Sequence, residues 1–283
     1  AAIFLPTTLL RADEADDQCA LAAGHYAAKR WDLAVEHFAK FIGANPNHPQ
    51  SSPARFYRGE ALVQLARMHD ARGELDALLK LDPRSPHARQ ALFRKGEVAY
   101  LGGKFDEAKG SLREFFAVYP DDSLNAFVLP YLGEIALIEE DSAEAERTFS
   151  FALEKFPNGL LADDCRIGFA RALDLQGRAQ VAEQHLRKVA ANPNRPLADR
   201  ASFYLGLLFY QSGKTGAALD AWTNTIDRFP KSDISSRARL GRGWCLLRLE
   251  KHDEAQRQFA ELTTDPELGL ETKYWLGLTL RGQ

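Results

Sequence analysis

"LPYLGEIALIEEDSAEAERTFSFALEKFP", residues 129–157, contains Gly133, Ala145 and Pro157 at twelve-residue intervals. The interval is not local. Pro46, Pro83, Pro120, Pro157, Pro193, Pro230 and Pro266 recur every 36 or 37 residues. Ala34, Ala71, Ala108, Ala145, Ala182, Ala218 and Ala255 keep the same beat. So do Gly59, Gly96, Gly133, Ala170, Gly206 and Gly243, each twelve residues before its alanine. Self-similarity at this period marks a stack of identical supersecondary units, none of which buries its apolar face alone.

One unit can be read in two halves. In "SPHARQALFRKGEVAYLGG" (85–103), Leu92, Phe93, Val98 and Ala99 recur at helical spacing. Ser85 and Pro86 are expected at N-cap and N1, and Gly102 and Gly103 at the helix end. "KFDEAKGSLREFFAVYP" (104–120) places acids near its start and Ala108, Leu112, Phe115 and Phe116 on one face, and proline then forbids continuation. Each unit is therefore expected to be an antiparallel hairpin of a first helix, A, and a second, B. The glycine and alanine slots are small because A and B cross there, at axial distances of about 8–10 Å. Phe38, Leu75, Leu112, Phe149, Leu186, Trp222 and Phe259, four residues beyond each alanine, are the bulky fillers. About seven pairs result over residues 13–283, followed by an unpaired A helix in "ETKYWLGLTLRGQ" (271–283) with Gly277 in the small slot. That helix lacks a polar outer face, so the stack is expected to continue in a longer native protein.

The chain is 45% hydrophobic and 27% charged, the balance of a soluble folded protein. Its first half carries a mild acidic excess and its second a mild basic one. That gradient argues against binding driven by phosphate neutralisation, so no nucleic acid is expected. No stretch is long and apolar enough to span a bilayer. "AAIFLPTTLL" (1–10) reads as an apolar arm, or as the end of a secretory signal with Ala12 as a cleavage residue, so residues 1–12 are set apart from the repeats.

Catalytic constellations are not found. The seven histidines (25, 37, 48, 69, 87, 185, 252) share no ligand spacing. Cys19, Cys165 and Cys245 fall in A helices, and Cys165 and Cys245 lie two units apart, roughly 20 Å at that helix spacing. A bridge needs Cα atoms within about 7 Å, so free thiols are expected. "GRG" (241–243) lies inside a helix with no strand before it and is no phosphate loop. No cofactor, metal or enzymatic activity is expected.

The glycine, alanine and proline series resembles the tetratricopeptide repeat family, whose helix–turn–helix unit carries these residues at twelve-residue intervals. The resemblance covers roughly residues 17–280. One departure is regular: thirteen residues separate each proline from the next small residue, about three more than in the minimal repeat. "YPDDSLNAFVLPYLGE" (119–134) and "FPKSDISSRARLGRG" (229–243) show it. This long variant resembles repeats of bacterial periplasmic proteins of the Tol–Pal and outer-membrane-assembly kind, which implies a periplasmic or envelope location.

The family resemblance implies an all-α, right-handed superhelical solenoid with A helices lining a concave groove. It also implies a non-catalytic scaffold that binds a protein or peptide segment there. Groove positions carried over from the family are Phe56, Glu60, Phe93, Glu97, Tyr100, Phe127, Glu134, Arg171, Phe203, Tyr210 and Trp244, with Val63, Gln90, Pro130, Leu137, Asp164, Ile167, Asp174, Arg200, Leu207, Arg237, Leu240 and Leu247 in the same rows. Glu60, Glu97 and Glu134 would form an acidic stripe, repelling by only ~0.4 kcal/mol per neighbouring pair at about 10 Å in water. It suits a partner with basic and apolar side chains. Chaperone-tail-binding members hold a carboxylate with Lys and Asn at such positions; Glu in place of Asn argues against that clamp here. Neither a small-molecule substrate nor direct membrane contact is expected. The alternatives are a spacer or assembly arm within a longer envelope protein, self-associating through the N-terminal arm or the final helix, and a regulatory array of a larger enzyme. Pro130 stands apart. If its helix begins near Leu124, the ring costs about 3 kcal/mol in the interior; otherwise the helix starts late.

Overall fold

Proline fixes φ near −65° and suits the second position of a turn. Here the carbonyl before six of the periodic prolines accepts from the N–H three residues on: Asn45–His48, Asp82–Ser85, Tyr119–Asp122, Phe156–Gly159, Asn192–Arg195 and Phe229–Ser232, at 3.0–3.2 Å. A second turn follows at once, with Ser51, Ala88, Asn125, Ala162, Ala198 and Ser235 donating back to the last residue of the first, at 2.8–3.2 Å. The three residues beyond a minimal repeat are thus taken up by a double turn. Helix A consequently starts later than Ser85 and Pro86 suggested. Ser85 joins the two turns, its Oγ accepts from the His87 N–H at 3.3 Å, and the helix opens at Ala88.

The computed structural model describes residues 7–281, and their side chains from residue 14 onward. The expected arm over residues 1–12, with Ala12, therefore lies outside what is described of side chains. Fifteen helices and no strand occur among the described residues: α1 (Thr7–Ala27), α2 (Trp31–Ala44), α3 (Ser51–Gln64), α4 (Met68–Leu81), α5 (Ala88–Leu101), α6 (Phe105–Val118), α7 (Asn125–Ile138), α8 (Ser142–Lys155), α9 (Ala162–Leu175), α10 (Ala179–Ala190), α11 (Ala198–Gln211), α12 (Thr215–Arg228), α13 (Ile234–Arg248), α14 (His252–Leu262) and α15 (Gly269–Arg281). The odd-numbered helices are the A helices. The all-helical fold of packed hairpins is the one the periodicity specifies.

The chain divides into two compact units between Ile135 and Ala136. In the first, α1 to α6 pack each on the next in chain order. In the second, α8 to α15 do the same, and A helices also meet directly, α9 with α11 and α11 with α13.

Packing follows the small–bulky code. The alanines of all seven slots are fully buried, as are their fillers. A Cβ on Gly96 would lie 2.7 Å from Leu112 Cγ, and one on Gly206 or Gly243 would come within 3.0 Å of Trp222 or Phe259. Such contacts cannot form without displacement, so the glycine is what lets the larger filler sit between A and B. A second notch lies two residues before the small slot of the following A helix. Gly168 meets Phe149 there and Gly241 meets Trp222, each inside 3.0 Å of an added Cβ. The glycine of "GRG" that begins the motif is therefore a packing residue for the indole of the preceding pair.

Every A-to-B turn passes through a left-handed residue: Lys29, Ala66, Gly103, Glu140, Gly177, Gly213 and Glu250, with φ between 55° and 75°. The N–H beyond it closes the turn, as Lys104 does on the Ala99 carbonyl at 2.8 Å. Only three of the seven are glycine, which hid the series in the sequence.

Pro130 lies inside α7 and is buried, so the alternative of a late start is set aside. The α7 start is held instead by Asn125, whose Nδ2 donates to the carbonyls of Tyr119 (2.7 Å) and Pro120 (3.0 Å). Cys165 and Cys245 are buried in A helices, and burial pushes the Cys245 thiol up to about 12.

Candidate functional site

In the first unit the A helices bring two expected groove residues, Glu60 and Glu97, into one polar network with Arg94 and Tyr131. Arg94 of α5 donates from Nε to Glu60 Oε1 of α3 at 2.6 Å and from Nη1 to Glu97, three residues along its own helix. Tyr131 of α7 donates from its hydroxyl to the other Glu97 oxygen at 2.9 Å. All are half-buried. Burial pulls the Arg94 pKa down, but Glu60 and Glu97 outweigh it and the net shift is up. Burial and then the Glu97 charge hold the Tyr131 phenol above its ordinary range. This corrects the expectation of a bare acidic stripe: a guanidinium stands between Glu60 and Glu97, and Glu134 is engaged as well.

Aromatic rings flank the network. Tyr100 packs on Tyr131 with centroids 4.8 Å apart, and Phe127 lies 6.3 Å from Phe93. Phe56 and Phe93 are 8% and 7% exposed, inside the helix packing, where they present little surface to a ligand. Phe56 stacks on His87 at 4.7 Å.

The second unit carries the remaining expected residues and a cavity of about 940 Å³. Its walls are the C-terminal ends of α9 and α11 and the turn leading into α8. Arg171, Asp174, Tyr204, Leu207, Gln211 and Leu137 line it. Arg171 and three row positions, Leu137, Asp174 and Leu207, are therefore brought together. The Arg171 guanidinium lies over the Tyr204 ring at 5.4 Å. Asp174 is half-buried, its carboxylate has no hydrogen bond or ion pair among the described residues, and burial alone pushes its pKa up.

Phe203, Tyr210 and Trp244 lie apart from that cavity in an aromatic run. Phe203 packs on Trp222 (6.3 Å), Tyr210 stands between Trp222 (5.7 Å) and Trp244 (6.0 Å), and Trp244 continues to Trp275 (6.1 Å). The Arg248 guanidinium covers Tyr210 at 5.1 Å. The buried Trp244 indole N–H finds no acceptor among the described residues.

Three residues of these arrangements escaped the sequence reading: Arg94, Tyr131 and Tyr204. All stand two before the small slot, the position that takes glycine when the preceding filler is Phe149 or Trp222. Large or charged side chains recurring at that offset were the available signal. Among the described residues no group of three or more His, Cys, Asp or Glu is placed to hold a metal ion.

Solved structures with similar folds include tetratricopeptide repeat proteins at low identity. One from Parabacteroides merdae superposes with a TM-score of 0.72 at 14% identity, covering 95% of this chain and 99% of that one. PilW, a type IV pilus biogenesis factor, gives 0.65 at 19% identity over 82% of this chain and all of its own. YrrB, described as having an unusual peptide-binding site, gives 0.54 at 20% identity over 73% of this chain and 99% of its own. A search of curated protein sequences returns no match. The tetratricopeptide repeat family profile matches residues 19–86, 58–123, 167–233 and 205–268, in register with the periodic prolines. With more than half its length matched to that profile, the chain belongs to the tetratricopeptide repeat family.

Proposed function

We propose that this chain is a protein-interaction scaffold whose A-helix faces bind a peptide or protein segment, with no chemistry of its own. The cavity between α9 and α11 carries this reading: it combines aliphatic walls with a few polar groups, the make-up of a recognition site. Half-buried Tyr100, Phe127, Phe203 and Tyr210 add rigid aromatic surface of the kind that anchors partners. Family membership and the peptide-binding site of YrrB support it.

The test is site-specific photocrosslinking. A benzophenone amino acid is placed at Tyr100, Leu207 or Tyr210, and in control chains at Leu33 or Leu81 on B helices. Adducts formed at the A-helix positions and absent from the controls are expected. Equal labelling at both sets, or none at the A-helix positions, overturns the reading.

A second reading, an assembly arm, draws on α15, where Leu270 is 85% and Tyr274 62% exposed. An envelope location is the finer reading of place. The double turn at six of the periodic prolines and the likeness to PilW support it.

A further inference from the structure

The charged groups of the second-unit cavity do not balance. Three line it: Arg171, Asp174 and Glu140. The guanidinium of Arg171 lies over the Tyr204 ring and keeps its charge, so two carboxylates face one cation. Asp174 has no partner among the described residues, and Glu140 sits exposed in the left-handed turn before α8. The cavity is also built where α9 and α11 end, at Leu175 and Gln211. The starts of α8 and α10, at Ser142 and Ala179, border it too, so helix dipoles of both signs meet there and the side chains set its charge. A half-buried carboxylate with no protein donor depends on water for its hydrogen bonds, and a positive group from a ligand would pair with it.

The remaining walls define the shape of that group. Leu137, Leu207 and the Tyr204 ring give an apolar stretch of wall beside the polar Ser142, Gln211 and Ser212, which suits a cation carried on an aliphatic stem. A metal ion fits poorly, because among the described residues no group of three or more His, Cys, Asp or Glu is placed to hold one. We propose that this cavity receives a lysine or arginine side chain of a bound polypeptide, its methylenes against Leu137, Tyr204 and Leu207 and its charged head at Asp174. The proposal rests on the reading of the A-helix face as a polypeptide-binding surface and specifies what one part of it selects.

The experiment is panning of a phage-displayed random dodecapeptide library on the whole immobilised chain, followed by solution binding of the selected sequences as acetylated, amidated synthetic peptides. Blocked ends remove the terminal ammonium as a rival cation. The selected peptides are expected to share a Lys or Arg beside apolar residues. Replacing that residue by norleucine should weaken binding at least tenfold to the wild-type chain and less than twofold to Asp174→Asn, which should itself bind the unmodified peptide at least tenfold more weakly. Selected peptides without a shared basic residue, or equal norleucine losses for both chains, overturn the proposal and leave the scaffold reading standing. If panning enriches no peptide at all, both fall. The norleucine comparison on the wild-type chain keeps the proposal testable should the variant fold poorly.

Discussion

Trp222 is held between two glycines of successive A helices, Gly206 of its own hairpin and Gly241 of the next, each so close that an added Cβ would lie inside 3.0 Å of the indole. The ring is fully buried and its Nε1–H is satisfied by the Phe203 carbonyl at 3.2 Å, so it cannot swing aside. Gly206→Ala is therefore expected to destabilise the second unit by about 1–3 kcal/mol, the range for overpacking a tight core. Gly277→Ala is the control, because nothing lies within 4 Å of a Cβ there. It should be neutral, or gain up to about 1 kcal/mol from helix propensity. Urea midpoints by circular dichroism compare the two, and equal effects would refute the notch.

The filler decides whether alanine fits. Ala170 occupies the small slot opposite Leu186 and both are buried. The doubly substituted Gly206→Ala, Trp222→Leu chain should therefore lose less stability than the two single losses summed, by at least about 0.5 kcal/mol of coupling. Strict additivity in the same urea series would show that the two side chains do not share one space.

Arg94 is the one cation seated between Glu60 and Glu97 in the first-unit network among the described residues, and all three side chains are at most 21% exposed. Arg94→Met keeps the stem and removes the charge, leaving two half-buried carboxylates and a polarised Tyr131 hydroxyl unsupported. A loss of about 1–3 kcal/mol is expected in thermal or urea unfolding of the first unit. Arg94→Lys should recover only part, since a point charge cannot serve both carboxylates with a planar fork. Full recovery by lysine would show that simple charge balance suffices.

Ala66 and Glu250 hold the left-handed conformation that Gly103, Gly177 and Gly213 adopt at equivalent turns. An L side chain is disfavoured there by roughly 1–2 kcal/mol relative to glycine. Ala66→Gly is expected to raise the unfolding midpoint, by about 1 kcal/mol at most once the added freedom of the unfolded chain is counted. Gly103→Ala should lower it by a similar amount. A stabilised Gly103→Ala chain, read by the same melting curves, would contradict the turn geometry.

The hairpin stack was legible because three residue types keep step: small slot, alanine and proline each answer to one geometric demand, and Gly96 with Leu112 or Gly206 with Trp222 shows that demand met. The double turn was legible only as extra length, since Ser85 carries a cap signal that the turn around Pro83 uses first. The left-handed series was hidden because Lys29, Ala66, Glu140 and Glu250 bear no glycine signature. At the candidate site, row offsets located Arg171 and Asp174 in the cavity wall. They could not show that Arg94 threads the acidic row, because an ion pair between Glu60 and Arg94 depends on side-chain reach across helices rather than on the repeat itself. They likewise left Phe56 and Phe93 as groove residues, where the depth of each ring is set by its neighbours.

Asp174 gives the last prediction, a stability that depends on pH. Burial raises its folded pKa above the ordinary aspartate value of about 3.9, so between the two values the native state binds more protons than the unfolded one. Stability must then fall as pH rises through that interval. The group's contribution is fully present below the unfolded pKa and is lost as pH climbs through the folded one. Asn at this position keeps the shape without the titration. Asp174→Asn should therefore match the wild type near pH 3, and should be the more stable of the two at pH 7. Unfolding midpoints of both chains in urea at pH 3, 5 and 7 measure the difference. A variant that is less stable at pH 7 than at pH 3, relative to wild type, would mean that the native carboxylate accepts a hydrogen bond, and the lone-charge description of the cavity would fail with it.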